Sequence, residues 1–194
     1  HSDLRRQRQM CIRDRHNAIV TAGRIERDDA VLIQGASSGV GILGMQIAKY
    51  MGARLVIGTS THDGRREKLT EYGADIALDS KSPDWADKVL EATDGKGVDL
   101  IVDQVSGGVM NSNLRATRIL GRIVNVGRLG GFTGELDFDL HAARRIDYIG
   151  VTFRTRSEEE VAEIIRLMKD DLWGAVETGT FTIPIDKEFP LDAA

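Results

Sequence analysis

The chain has a single cysteine, Cys11, which excludes an internal disulfide framework and any multi-cysteine zinc lobe. That usage fits a reducing compartment, and a cytoplasmic location is expected. No run approaches the roughly 20 apolar residues that a membrane-spanning helix needs. Excess positive charge is also missing: 26 Lys and Arg stand against 30 Asp and Glu, for a formal net charge of −4. Neither a nucleic acid nor a membrane surface is therefore an expected partner. Internal repeats and low-complexity tracts are absent. What remains is a chain of 194 residues, 41 % hydrophobic and 29 % charged, in the range of a single globular domain of about 100–200 residues.

Residues 1–15 differ from the rest. They are dense in arginine and lack a sustained apolar face, so the apolar core of a secretory signal is missing, while an Arg-rich transit peptide fits the composition. The segment also resembles translated sequencing-adapter read-through, and it is expected to be non-native or disordered. The folded unit is then expected at 16–194, truncated at both ends.

From Ala18 onward the chain alternates strand-like and helix-like segments. β-branched runs at Ala30–Gln34, Arg54–Thr59, Ile76–Leu78, Leu100–Asp103, Arg122–Val126 and Tyr148–Thr152 are mostly separated by segments of helical period. The pattern predicts an α/β fold: a six-stranded, mainly parallel sheet with helices on both faces. Helix punctuation agrees, with Lys68–Tyr72 stopping at Gly73 and Asp84–Thr93 stopping near Gly95. Ser157 with Glu160 three residues on has the form of a capping box.

The segment that carries chemistry follows the first strand. Val31-Leu32-Ile33-Gln34 runs into Gly35-Ala36-Ser37-Ser38-Gly39-Val40-Gly41, and a helical pattern continues from Ile42 to Met51. A pyrophosphate needs backbone N–H groups aimed at it and no side chains in the way, which a turn of Gly, Ala and Ser entering a helix supplies. The predicted architecture is thus a Rossmann-like, doubly wound sheet binding a dinucleotide.

This glycine spacing also occurs in short-chain dehydrogenases. Those require a Tyr-x-x-x-Lys pair in which the lysine lowers the phenol pKa. Here Tyr50, Tyr72 and Tyr148 are followed at that distance by Arg54, Ile76 and Thr152, so the pair is absent. Other segments occur in a telling order: Gly23, Asp28-Asp29-Ala30-Val31-Leu32-Ile33, Gln46-Ile47-Ala48-Lys49, Lys68-Leu69-x-x-Tyr72-Gly73-Ala74-Asp75, Gly95-Lys96-Gly97-Val98-Asp99 and Gly121-Arg122-Ile123-Val124-Asn125-Val126-Gly127. Together these resemble the cofactor-binding domain of the medium-chain dehydrogenase/reductase superfamily, in its zinc-independent, quinone oxidoreductase-like branch. Ala36 matches the alanine that commonly replaces the first fingerprint glycine there, whereas Ser38 stands where many members have glycine.

Cofactor choice is read at the end of the second strand, where NAD-binding relatives place a carboxylate roughly 20 residues past the glycines. This sequence has Thr59-Ser60-Thr61 there, followed by Arg65, Arg66 and Lys68. Hydroxyls and cations suit a 2′-phosphate, so NADPH is expected over NADH, although Asp63 and Glu67 leave room for a merely solvated basic helix. By position, the resemblance puts Val105 and Ser106 near the cofactor ribose, Gly127 and Arg128 beside the pyrophosphate or nicotinamide, and Phe153 and Arg154 at the carboxamide.

The resemblance implies hydride transfer to a quinone, an enone or a similar carbonyl compound, with no catalytic residue evident in this chain. His62 and His141 are single histidines without partners at ligand spacing, and no metal site is expected. The substrate pocket would be completed by a GroES-like domain missing upstream, to which the chain would return near Phe189–Ala194. A homodimer is expected through an edge strand at Gly174–Ile185 or Leu129–Leu136. Two alternatives remain: a zinc-dependent alcohol dehydrogenase cofactor domain, and a noncatalytic dinucleotide-responsive module.

Overall fold

The computed structural model describes residues 10–184. Its centre is a six-stranded sheet in the order β3-β2-β1-β4-β5-β6, formed by β1 (Ala30–Ile33), β2 (Leu55–Ser60), β3 (Ile76–Asp79), β4 (Val98–Asp103), β5 (Thr117–Asn125) and β6 (Asp147–Gly150). Every strand pairing is parallel, so the sheet is parallel throughout and not merely mainly so.

Strands buried on both faces read as continuous apolar runs, and β1 and β4 are buried at every position. Alternate residues serve opposite cores. Val31, Ile33, Leu100 and Val102 point toward α1 (Gly39–Tyr50) and α6 (Glu158–Glu177). Leu32, Ile101 and Ile123 point the other way, toward α3 (Trp85–Ala92) and α4 (Met110–Ala116). Between β2 and β3 lie a short helix α2 (Asp63–Arg66) and a 3-10 turn at Leu69–Tyr72 that ends on left-handed Gly73. The expected Lys68–Tyr72 helix is thus a 3-10 turn. The helix α5 (Phe138–Arg144) precedes β6.

Residues 1–9 of the basic segment lie outside the described residues, as does Phe189–Ala194. Residues 10–16 are helical and continue into a π-helical turn, Asn17–Thr21. Ile12 enters the core, and Arg15 is 5 % exposed. The two proposed dimer strands are not strands: 174–177 belongs to α6, and 178–184 and 129–136 have no strand. The sheet instead ends at β3 and β6, and Ile185 lies outside the described residues.

Candidate functional site

β1 is flanked by β2 on one side and β4 on the other, so the crossovers diverge at its carboxyl end. A crevice forms at such a switch point in an open parallel sheet. The Gly35–Gly41 turn lies there. Gly35 is left-handed (φ 69°), and Ser38 caps α1 by accepting the Gly41 N–H at 3.1 Å. A Cβ at Gly41 would lie 2.6 Å from Ala36 Cα and 2.7 Å from the Gly35 carbonyl oxygen, whereas one at Gly39 would meet only Ile183 at 3.9 Å. Gly41 therefore lets helix and turn touch, and Gly39 leaves the helix entrance clear. The buried Ala36 donates its N–H to the Thr59 carbonyl at 2.8 Å, which ties the turn to β2.

Beyond the turn lie two cavities of a size that holds small ligands. One, of about 410 Å³, is lined by Gly35, Ser37, Ser38, Ser60, Arg65, Val105 and Leu129. The other, of about 590 Å³, is lined by Ser37, Ile42, Arg65, Lys68, Leu69 and Tyr72. Arg65 borders both and has no ion pair among the described residues. Arg66, which the sequence groups with it, pairs with Asp63 at 2.7 Å and reaches Asp79 at 3.7 Å. Ser60 donates to Ser37 at 3.0 Å. Thr59, expected at the ribose, is instead wholly buried: its hydroxyl donates to Gln34 at 2.6 Å and accepts the Gly35 N–H at 3.1 Å. The reason is strand alternation, which turns neighbouring side chains to opposite faces.

On the β4 side, Val105 Cγ2 would lie 3.7 Å from a Cβ at Gly35. Ser106 occupies φ 58°, ψ −154°, a region essentially reserved for glycine. Its hydroxyl donates to the Gly127 carbonyl at 2.7 Å and accepts from Asn125 Nδ2. Gly127 itself lies against the β4 loop, where a Cβ would be 2.6 Å from the Gln104 carbonyl oxygen. Burial pushes the Asp103 carboxyl up, opposed by N–H groups of Ser106 and Val105 and the Asn113 amide. Arg128 lines a smaller cavity of about 190 Å³ with Ser106, Asn125, Phe132 and Tyr148. The Tyr148 phenol is also pushed up, first by burial and then by the Asp103 charge, with Arg128 opposing. Phe153 lies under two guanidinium groups, those of Arg13 at 4.1 Å and Arg156 at 5.5 Å, and Arg154 is exposed.

The structure thus gathers Ala36–Gly41, Ser60, Arg65, Lys68, Val105 and the Ser106–Gly127–Arg128 junction along one edge of the sheet. Tyr72 and Ser80 also line these cavities and were missed, whereas Leu129, which the resemblance sets behind Gly127 and Arg128, lines one of them. Only the Tyr72-Gly73 part of the motif hints at one of them.

Fold and crevice define a dinucleotide-binding α/β domain of the doubly wound type. The family model described as zinc-binding dehydrogenase matches residues 39–170, and the chain belongs to that family, as a cofactor-binding domain of the medium-chain dehydrogenase/reductase superfamily. Quinone oxidoreductase of Rattus norvegicus is 27 % identical over 177 residues, covering 91 % of this chain and 52 % of its own length. A polypeptide of the phenolphthiocerol/phthiocerol polyketide synthase of Mycobacterium tuberculosis is 35 % identical over 112 residues, covering 58 % of this chain and 5 % of its own. The nucleotide-binding subdomain of the enoylreductase domain of PpsC from Mycobacterium tuberculosis superposes with a TM-score of 0.76 at 26 % identity, covering 91 % of this chain and 97 % of that one. The chain therefore spans about half the rat enzyme and a small part of the synthase. Despite the family's description, no group of three or more His, Cys, Asp or Glu that could hold a metal is found among the described residues. Nor is any described helix long and apolar enough to cross a membrane.

Proposed function

We propose that this chain is the NADPH-binding half of an oxidoreductase that delivers hydride to a quinone, an enone or a similarly activated carbonyl compound. The observation that carries the cofactor choice is Arg65: it borders both cavities beyond β2 without a carboxylate partner among the described residues, while Arg66 is spent on Asp63 and Asp79. A cation placed so, with Lys68 on the same wall, gives a 2′-phosphate charge-assisted hydrogen bonds. The Gly39 entrance to α1 leaves backbone N–H groups for the pyrophosphate. When bound, the nicotinamide supplies the hydride. The chain's own part is to hold and orient it between the β4 and β5 loops.

The activities for which these relatives are named, quinone oxidoreductase and enoylreductase, support this substrate class. A GroES-like domain would complete the pocket, so this polypeptide alone binds NADPH and turns over poorly. The basic segment is read as foreign to the native domain even though Ile12 packs into the core and Arg13 lies over Phe153. Among the described residues, Arg15 buries Nε and Nη1 without partners, a costly arrangement for a charged group. A homodimer through the free edge of β6 accompanies the reading.

Titration of NADPH and NADH tests it. A charge-assisted bond contributes about 1.5–3 kcal/mol, so Arg65→Glu should weaken NADPH by at least about tenfold and leave NADH nearly unchanged. Equal affinities of the unaltered chain for the two cofactors would refute the choice of NADPH.

A further inference from the structure

Beneath the crevice, side chains from β2, β4, α4 and the residue that follows β1 form one unbroken hydrogen-bonded line. The Gly35 N–H donates to Thr59 Oγ1 at 3.1 Å, and Thr59 donates to Gln34 Oε1 at 2.6 Å. Gln34 Nε2 donates to Asn113 Oδ1 at 2.9 Å, and Asn113 Nδ2 donates to Asp103 Oδ2 at 3.1 Å. The other Asp103 oxygen accepts the N–H groups of Val105 at 2.8 Å and Ser106 at 2.9 Å. Gln34, Thr59, Asp103 and Asn113 are all 0 % exposed, so solvent does not replace a lost partner.

The line has a direction. A carboxylate can only accept, so Asn113 must turn its NH2 group to Asp103 and its oxygen to Gln34. Gln34 in turn presents its NH2 group to Asn113 and its oxygen to Thr59. Thr59 then spends its proton on Gln34, and its lone pairs face the Gly35 N–H at the cofactor turn.

We infer that Asp103 is a positioning residue for the dinucleotide crevice, its carboxylate setting the direction of this line and so holding both the Gly35 turn and the Val105–Ser106 loop in place. The inference rests on the cofactor reading above. An amide at position 103 would still receive the Val105 and Ser106 N–H groups on its oxygen, but its NH2 group would face that of Asn113. Reversing Asn113 and then Gln34 only passes the conflict along. It ends at Thr59, whose hydroxyl proton is left without an acceptor directly under the Gly35 turn.

Exchanging the two groups repairs the line. In the D103N/N113D double variant, Asn at 103 keeps the two loop N–H groups on its oxygen and gives its NH2 to the new carboxylate, which accepts Gln34 as before. Calorimetric titration with NADPH, alongside thermal unfolding, should show about tenfold weaker binding for D103N. Asn113→Asp, which sets two carboxylates face to face, should behave likewise, and the double variant should return to within about threefold of the unaltered chain. Such coupling marks a direct pair. Asn113→Leu cuts the line without touching the loop bonds, should also weaken NADPH about tenfold, and serves if D103N does not fold. Single variants that unfold at lower temperature yet bind NADPH within twofold of the unaltered chain would overturn the inference, as would a double variant no better than the singles. Failure of the unaltered chain to bind NADPH would instead overturn the cofactor reading, and this inference with it.

Discussion

Gly39 and Gly41 sit two residues apart in one motif and do different work. A methyl group at position 41 would press on Ala36 and on the Gly35 carbonyl, while at 39 it would enter open space over the helix entrance. Gly41→Ala should therefore cost about 1–3 kcal/mol of stability, as overpacking of a close contact does. Gly39→Ala should leave stability unchanged or raise it slightly, because alanine loses less freedom than glycine in a helix, but should weaken NADPH binding about tenfold by filling the pyrophosphate's place. Urea unfolding and cofactor titration on the same two variants separate the effects, and a Gly41→Ala protein as stable as the parent would refute the packing argument. At this scale the sequence marks the glycines and the basic run but does not rank their members. What separates Arg65 from Arg66 is the pair of carboxylates that Arg66 reaches, Asp63 and, on the next strand, Asp79, and what buries Thr59 beside exposed Thr61 is its place inside β2, between β1 and β3, whereas Thr61 lies past the strand's end.

Elements with a local signature were legible. The capping box at Ser157 is present in full, with Ser157 accepting the Glu160 N–H and the Glu160 side chain returning to the Ser157 N–H, since all its partners lie within one turn. All six expected strands exist with shifted ends. The helices α4 and α5 were missed because Met-Asn-Ser-Asn-Leu-Arg-Ala and Phe-Asp-Leu-His-Ala-Ala-Arg are too short and polar for a hydrophobic period to show. β5 also begins earlier than its apolar run, at Thr117, through an irregular stretch whose register shifts against β4 between Val98 and Leu100. Leu120 in that stretch is left-handed (φ 62°) and exposed, so it bears backbone strain with little burial to offset it. Leu120→Gly relieves a left-handed penalty of about 1–2 kcal/mol against a glycine entropy cost of about 0.5–1 kcal/mol. A net gain of about 0.5–1 kcal/mol should raise the unfolding temperature by about 1–4 °C. A lower melting temperature in calorimetry would refute the strain argument.

Which strands end the sheet is a property of the whole molecule, because it depends on the crossovers and not on any strand's own residues. The sequence alone accordingly points to the wrong segments for the free edge, whereas the order of the sheet leaves two, β3 and β6. The Val151 N–H donates to the Asn125 carbonyl at 3.0 Å, so by alternation the N–H groups of Asp147 and Ile149 also face β5. Those of Tyr148 and Gly150 face outward. β6 carries no lysine or proline guard, and its one charged side chain, Asp147, is paired with Arg24, which leaves the edge a template for another strand. Beside it, exposed Phe132 and half-exposed Tyr148 line one cavity, extending the edge with apolar surface. Two copies joined at this edge would continue the sheet across a two-fold axis. Tyr148→Pro removes an outward N–H and spares the ladder to β5, a substitution that edge strands tolerate. Sedimentation velocity should therefore find the unaltered chain as a dimer and Tyr148→Pro as a folded monomer. An unaltered chain that sediments as a monomer, or a Tyr148→Pro variant that stays dimeric, would move the interface away from β6.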